Sequence, residues 1–351
     1  MKILITGGAG FIGCNVVKHF AQQGHEVFVI DNLSRQTALI NIDWMRENVL
    51  FNFVSLDITD REGLESYFKE RSFDAVIHLA AQVAVTTSVQ DPRHDFYVNA
   101  LGTFNVLECV RLFTPQAVFI NASTNKVYGK IDEQHLVEDE WRYYSSDLLY
   151  KGVSEEQPLE FFSPYGCSKG TADQYTMDYA RIYGLKTVTV RQSCIYGPHQ
   201  FGVEDQGWIA WFIIAHLQKK PITIYGNGKQ VRDVLYVSDL VNFYELVIKH
   251  AEKVKGLAFN MGGGRDNALS LLQFFDVLKN IAGEKITYSF DDWRPGDQLV
   301  FLSDNTRAET LLGFKPQVSS NQGIAKIFEW LKKYYQVDGA HSSVAARGVL
   351  S

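Results

Sequence analysis

Cysteine, proline and long apolar runs are scarce in this chain of 351 residues. The four cysteines, Cys14, Cys109, Cys167 and Cys194, stand far apart with no Cys-x-x-Cys pair. That spacing argues against a zinc knuckle, a redox dithiol and a disulfide framework, and predicts free thiols in a reducing, cytoplasmic setting. The nine histidines form no His-x-His or His-Glu-x-x-His grouping, so no metal site is expected. Positive charge is not in excess: 34 Lys and Arg against 40 Asp and Glu leave −6, without the cationic surface that nucleic-acid binding requires. The longest strongly apolar stretch, Trp208 to Leu217, is far short of the ~20 residues of a spanning helix. The opening run from Met1 to Ile5 breaks at Gly7-Gly8 before it becomes a signal core. A soluble, unprocessed protein with neither nucleic acid nor membrane as partner is expected. Its 46% apolar composition suffices for a real core, and its length for two lobes.

Short apolar runs that look buried on both faces occur at Ile3–Thr6, Glu26–Asp31, Val49–Leu56, Ala75–Leu79, Ala117–Ala122 and Lys186–Arg191. Helical patterns lie between them, at Val16, Val17 and Phe20, at Leu64 to Phe68, from Phe96 to Phe113, and from about Ser168 to Tyr183. Strands alternating with helices predict an α/β fold: a Rossmann-type doubly wound parallel sheet with a ligand crevice at the carboxyl ends of its strands. Past Gly197 the pieces shorten and glycine clusters appear at Gly226-Asn227-Gly228 and Gly262-Gly263-Gly264, which reads as a smaller α/β lobe. The expected division is 1–197 for the dinucleotide lobe, with a return to it near 234–240, and 198–336 for the substrate lobe. Residues 337–351 have no periodicity and read as a frayed tail. Between Lys130 and Pro164 nine acids face three bases, an excess equal to the net charge of the whole chain. This run reads first as a solvated acidic loop. Its interleaved Trp141, Tyr143, Tyr144 and Tyr150 allow a lid or subunit contact instead.

Gly7, Gly10 and Gly13 follow the first strand and open a helix, where small residues let the backbone approach a pyrophosphate and the helix start supplies free N–H groups. Asp31 ends the next strand, placed to accept both ribose hydroxyls of an adenosine and to repel a 2′-phosphate, which favours NAD over NADP. Asp57, after the third strand, is equally a contact to adenine and an ordinary loop carboxylate. Tyr-x-x-x-Lys occurs twice. Tyr225/Lys229 encloses two glycines and reads as a turn, whereas Tyr165/Lys169 opens a helix, where i and i+4 side chains face the same way. There the Lys169 ammonium, beside a cationic nicotinamide ring, is expected to bring the Tyr165 phenol down from ~10 toward neutrality as a base. Ser123 and Thr124, at the end of a strand before Val127-Tyr128-Gly129, offer a hydroxyl to the same site.

Together these residues resemble the extended short-chain dehydrogenase/reductase family, over roughly residues 1–330. The resemblance implies a catalytic set of Thr124, Tyr165 and Lys169, Thr124 standing four residues before the tyrosine of the Val-Tyr-Gly turn. It also implies cofactor contacts at Gly7, Gly10, Phe11, Ile12, Asp31, Asn32, Asp57, Ile58, Leu79, Ala80, Ala81, Asn99, Tyr165 and Lys169. Asn99 is otherwise a buried helix-capping amide. Substrate contacts are implied at Thr124, Asn125, Lys126, Gln206, Arg232 and Arg294, the two arginines forking a nucleotide diphosphate. For Arg191 a substrate role and a structural ion pair are both open.

Dehydratases of the family carry Asp-Glu after the triad hydroxyl, because expelling water needs an acid and a base. Here Asn125 and Lys126 stand in those places, which disfavours dehydration. The run from Ser123 to Gly129, the run from Ser163 to Tyr175, Gln206-Gly207-Trp208 and the run from Gly226 to Val234 resemble the family's CDP-tyvelose (CDP-paratose) 2-epimerases. That resemblance implies a nucleotide-sugar isomerase with tightly bound NAD, a CDP-hexose as substrate, and a homodimer or homotetramer. Two alternatives are a UDP- or dTDP-hexose 4-epimerase and, from a different class, an NAD-sensing regulator without catalysis.

Overall fold

The computed structural model describes residues 1–131, 135–294 and 298–337. Asp132 and Glu133 of the acidic run, Pro295 to Asp297 after Arg294, and the tail beyond 337 lie outside the described residues.

The chain begins with β1 (Lys2–Thr6), α1 (Phe11–Gln22), β2 (Glu26–Asp31), α2 (Gln36–Asn48), β3 (Asn52–Ser55), α3 (Arg61–Lys69) and β4 (Ala75–His78). After α4 (Val85–Gln90) and α5 (Pro92–Phe96), a π-helical turn at Tyr97–Gly102 runs into α6 (Thr103–Phe113) and β5 (Val118–Thr124). A small hairpin, β6 (Leu136–Glu138) and β7 (Tyr143–Ser145), precedes α7 (Ser163–Tyr183), β8 (Lys186–Gln192) and β9 (Cys194–Tyr196). The remainder comprises α8 (Trp208–Leu217), β10 (Thr223–Tyr225), β11 (Val231–Tyr236), α9 (Val237–Lys249), α10 (Ala251–Val254), β12 (Leu257–Met261) and β13 (Ala268–Ser270). It closes with α11 (Leu271–Ala282), β14 (Ser289–Asp291), β15 (Val300–Phe301), α12 (Thr306–Leu312) and α13 (Ser320–Val337).

Seven parallel strands form the main sheet in the order β12-β8-β5-β4-β1-β2-β3. The order reverses between β1 and β4, and at that switch point the carboxyl ends of the strands open a crevice. Alternate side chains of one strand enter different cores. Ile3 and Ile5 join Val27, Ile77 and Ile120 under α1 and α9, while Leu4 joins Phe28, Val76 and Phe119 under α3 and α6. β3 departs from the expected two-sided burial, because it is the edge strand: Asn52 and Ser55 are exposed, and Val49 caps α2 instead of extending the strand. The chain returns to this layer over a long stretch. Leu235, Leu240, Phe243 and Phe259 belong to the core of the main sheet, as do Ala308 and Leu312 of α12. A separate core of Ile213, Phe274, Leu278, Ile327 and Leu331 joins α8, α11 and α13. No helix among the described residues is long and apolar enough to cross a membrane.

Candidate active site

The glycine loop folds tightly against the start of the crevice. Gly7 has φ +70°, its N–H donates to the Ile30 carbonyl at 2.7 Å, and a Cβ there would lie 2.6 Å from the Ala80 amide nitrogen. A Cβ on Gly13 would lie 2.2 Å from the Gly7 carbonyl oxygen. Gly10 caps α1 without any side chain, so the N–H groups of the first turn, Phe11 and Ile12 among them, face the crevice without intrahelical partners. Asp31 braces the loop: Oδ2 accepts from the Ala9 N–H at 3.0 Å and Oδ1 from Leu33 at 2.9 Å. Burial pushes its carboxyl up, against these two bonds and the Arg35 guanidinium.

The neighbouring residues are held by contacts within the protein. Asn32 Nδ2 donates to Asp57 Oδ2 at 2.7 Å, and the Thr59 N–H and hydroxyl donate to Asp57 Oδ1. Burial raises the Asp57 carboxyl, but the hydrogen bonds from Thr59 and Asn32 hold it below its ordinary value. Ile58 packs under Gly102, whose added Cβ would meet it at 2.5 Å. Leu79, Ala80 and Ala81 continue from the end of β4, and the Leu79 N–H donates to the Thr6 carbonyl at 3.0 Å. Asn99 lies within a helical turn and does not cap one. It sits fully buried in the π-helical turn, donating to the Gln82 carbonyl, Asp95 and Ser168 and accepting from the Gln82 N–H.

Thr124 ends β5, and Tyr165 and Lys169 occupy the first two turns of α7; all three are nearly inaccessible to solvent. α7 starts five residues before its expected onset near Ser168, with Pro164 in the first turn, where its missing N–H has no partner to lose. The Thr124 hydroxyl donates to Asn125 Oδ1 at 3.4 Å and accepts from the Lys126 N–H at 3.2 Å, close enough to the Tyr165 phenol to favour its ionised form. Lys169 Nζ donates to the Ala122 carbonyl at 2.5 Å. Burial pushes Tyr165 up to about 12, with Asp95 acting in the same direction and Thr124 and Arg35 opposing. The Lys169 ammonium is held on the Ala122 carbonyl, and without a nicotinamide ring beside it burial dominates the phenol. Burial lowers Lys169 to about 8, against the charges of Asp173 and Asp95.

The second Tyr-Lys match is no such pair. The Tyr225 hydroxyl donates to Glu204 at 2.7 Å, and Lys229 Nζ lies 3.4 Å from Glu138. Of the substrate residues implied by the sequence, Asn125 and Lys126 stand beside Thr124. Gln206 accepts from Arg35 Nη1 at 3.2 Å, and Arg232 Nη1 donates to the Val231 carbonyl at 2.8 Å. Arg294 lies over the Tyr225 ring at 4.1 Å and pairs with Asp205 at 3.1 Å and Glu204 at 3.6 Å. Arg191 is a structural residue: Asp173 accepts from its Nε and Nη2, both at 3.0 Å, and both side chains are buried. The acids of this run are largely solvated, as expected: of those described, Glu138, Asp139, Glu140, Asp147, Glu156 and Glu160 are exposed, while other residues of the run dock on both lobes. Glu155 is buried and accepts from the Asn260 N–H, the Trp141 carbonyl accepts from the Ser270 hydroxyl, and the Tyr143 hydroxyl accepts from Asn227.

Sequence reasoning missed a ring of polar residues behind the tyrosine. Ser88 Oγ accepts from the Tyr165 N–H at 3.2 Å, and Asp95 accepts from Gln82, Asn99 and Ser168. The only signal for Ser168 was its position between Tyr165 and Lys169, and for Asp95 its spacing of four from Asn99.

The chain is 42% identical to CDP-paratose 2-epimerase of Salmonella typhi over 335 residues, which covers 94% of this chain and 99% of that one. In structure it is similar to the UDP-glucose 4-epimerase of Thermotoga maritima solved with UDP-glucose (TM-score 0.82, 32% identity, 95% and 99% of the two chains). It is equally similar to the UDP-glucuronic acid 4-epimerase of Bacillus cereus in complex with UDP-glucuronic acid and NAD (TM-score 0.82, 28% identity, 95% and 100%). A family model described as GDP-mannose 4,6 dehydratase matches residues 4–327, and with the cradle, sheet order and Thr-Tyr-Lys cluster above, the chain belongs to that family of extended short-chain dehydrogenases/reductases.

Proposed function

We propose that the protein is an NAD-dependent nucleotide-sugar epimerase that inverts C2 of a CDP-dideoxyhexose, interconverting CDP-paratose and CDP-tyvelose. The likeness to the Salmonella typhi enzyme carries this reading. The residues after the triad hydroxyl agree with it, since Asn125 and Lys126 stand where dehydration would need an acid and a base.

The crevice fits a dinucleotide: Gly7 and Gly13 leave no room for a side chain, the first turn of α1 offers N–H groups to a pyrophosphate, and Asp31 stands at the ribose position. These residues would hold NAD, which would supply a reversible hydride acceptor and a positive charge. Tyr165 takes the proton of the sugar hydroxyl as the carbon is oxidised to the keto level, and returns it after the sugar has presented its other face. Thr124, at the end of β5 beside the phenol, orients the same sugar oxygen. A phenol pushed up to about 12 by burial is a weak base at neutral pH, so positive charge close by is a working requirement of the site. Lys169, held on the Ala122 carbonyl, fixes the spacing between α7 and β5 and contributes that charge.

Arg232 and Arg294 are assigned to the diphosphate, and Gln206 to the sugar-nucleotide side of the cleft. The division into a dinucleotide lobe and a smaller substrate lobe follows from the two separate cores. Two copies are assigned to pair through α6 and α7, which leave Leu112, Tyr175, Ile182 and Tyr183 exposed. All four cysteines are free, in keeping with a cytoplasmic enzyme.

The test is an NMR time course with CDP-paratose and no added NAD, run beside UDP-glucose. Conversion of the CDP sugar alone supports both the retained cofactor and the C2 site. Conversion of UDP-glucose alone makes the protein a 4-epimerase. Tyr165→Phe is expected to abolish turnover with NAD still bound; retained turnover overturns the assignment of the base.

A further inference from the structure

Asp95 is completely buried, and among the described residues no arginine or lysine forms an ion pair with it. Its Oδ1 accepts from Gln82 Nε2 at 3.0 Å and Asn99 Nδ2 at 3.1 Å, and its Oδ2 accepts from Ser168 Oγ at 2.5 Å. Burial raises this carboxyl, while three donors aimed at it and the charge of Lys169 favour the ionised form, which accepts only. A buried anion is costly unless it serves something nearby. What lies nearby is the turn of α7 that carries Tyr165 and Lys169. Ser168 sits between them, and its Oγ also lies 3.2 Å from the Tyr165 carbonyl. Asn99 reaches this cluster from the π-helical turn, a widened geometry often found at functional sites. Ser88 holds the Tyr165 N–H from α4. The start of α7 is thus fastened to residues 82–99 by buried polar groups.

We propose that Asp95 is a positioning residue: through Ser168 it fixes the Tyr165–Lys169 turn, and it supplies the uncompensated negative charge facing that pair. This rests on the reading of Tyr165 as base.

The charges around the pair identify which acid acts. Lys169 is faced by Asp173 on its own helix, by Asp95 from α5, and by His78 from β4. Asp173 is compensated by the bidentate Arg191 and also accepts from Ser123. His78 is neutral, lowered to about 3 by burial, with its nitrogens on Thr6 and Thr103. Tyr165 is faced by Thr124 from β5, Arg35 from the loop after β2, and Asp95. His94, the residue before Asp95 in the chain, is exposed and its charge favours the ionised Asp95. Asp95 is therefore the one buried acid whose charge acts on both members without a bound cation of its own.

The experiment measures kcat/KM against pH on NAD-loaded wild type, Asp95→Asn and Ser168→Ala with CDP-paratose, with circular dichroism and NAD content as controls. Removing the carboxylate charge favours the ionised phenol and the neutral amine. Both limbs of the Asp95→Asn profile are expected to move about one pH unit toward acid. Ser168→Ala keeps the charge but loosens the turn, and is expected to lower kcat at least tenfold with both limbs in place and KM nearly unchanged. A folded Asp95→Asn enzyme with wild-type limbs overturns the electrostatic role. If Asp95→Asn does not fold, Ser168→Ala decides alone, since wild-type kcat there overturns the positioning role. Turnover by Tyr165→Phe would instead bring down the assignment of the base, a separate outcome.

Discussion

Arg191 at the end of β8 and Asp173 on α7 form a side-on pair inside the protein, two N–H groups of the guanidinium meeting the two carboxylate oxygens at 3.0 Å each. Burial opposes both charges, but the hydrogen bonds and the charge of Asp173 hold Arg191 firmly protonated. The guanidinium also donates to the Tyr128 hydroxyl at 3.0 Å, which donates in turn to Asn260 at 2.7 Å, so the pair ties α7 to the end of the sheet. Removing one partner strands the other charge in a dry site, a loss of about 3–5 kcal/mol. Arg191→Met is expected to lower stability to urea by that order, and Arg191→Met combined with Asp173→Leu to lower it less. A large rise in KM with unchanged stability would return Arg191 to the substrate site.

The glycine loop gives a prediction with an internal control. Gly13→Ala places a Cβ 2.2 Å from the Gly7 carbonyl oxygen, so the loop must open and its N–H groups lose their aim. Gly24→Ala meets nothing within 4 Å but sits at φ +78°, which strains a residue with a Cβ. Gly13→Ala is expected to purify with at least tenfold less NAD. Gly24→Ala is expected to keep its NAD and lose about 1 kcal/mol of stability. Equal NAD content in the two variants would contradict the cradle.

The glycine loop was legible from sequence, whereas the partner of Arg191 was not. Gly7, Gly10 and Gly13, Asp31, and the Tyr165/Lys169 spacing are local patterns whose geometry follows from a strand, a turn and a helix close in the chain. The seven-stranded sheet was legible up to β8 for the same reason. β12 was not, because it lies past Gly197 and runs straight into Gly262-Gly263-Gly264, a stretch that read as part of the smaller lobe. Asp95 was not, because an acid on a short helix looks solvated until the fold brings Gln82, Asn99 and Ser168 onto it. The spacing placed Lys169 on the face of Tyr165 but could not show that its ammonium is held on the Ala122 carbonyl.

Lys169 couples stability and activity in opposite directions. Burial lowers it to about 8 in the folded protein, against ~10.4 in an unfolded chain. Between those values the unfolded chain binds a proton that the folded chain has released, so the contribution of this group to stability rises with pH across the window. Below pH 8 its full burial cost stands, on the order of 3 kcal/mol. Lys169→Met is therefore expected to be more stable than wild type at pH 7, with the difference shrinking toward pH 10. Over the same window wild-type kcat/KM is expected to fall as the ammonium is lost. Urea unfolding of both proteins at pH 7, 8.5 and 10 measures the first effect; a constant difference would mean that Lys169 does not titrate there.

Arg294 is held by two acids of its own chain, Glu204 and Asp205, on a surface where a diphosphate would need it. At 37% exposure such pairs are worth about 1 kcal/mol or less, weak enough for a dianionic ligand to displace. If the arginine serves the diphosphate, the acids compete with substrate for it. Glu204→Gln with Asp205→Asn is then expected to lower KM for the nucleotide sugar severalfold with kcat unchanged, while Arg294→Ala raises KM. Combining all three changes closes a thermodynamic cycle. Without the arginine the two amides have nothing to release, so the gain in KM should vanish in the Arg294→Ala background. A gain that persists there would come from removing general repulsion around the cleft, and Arg294 would then be a surface residue stacked on Tyr225 with no part in binding.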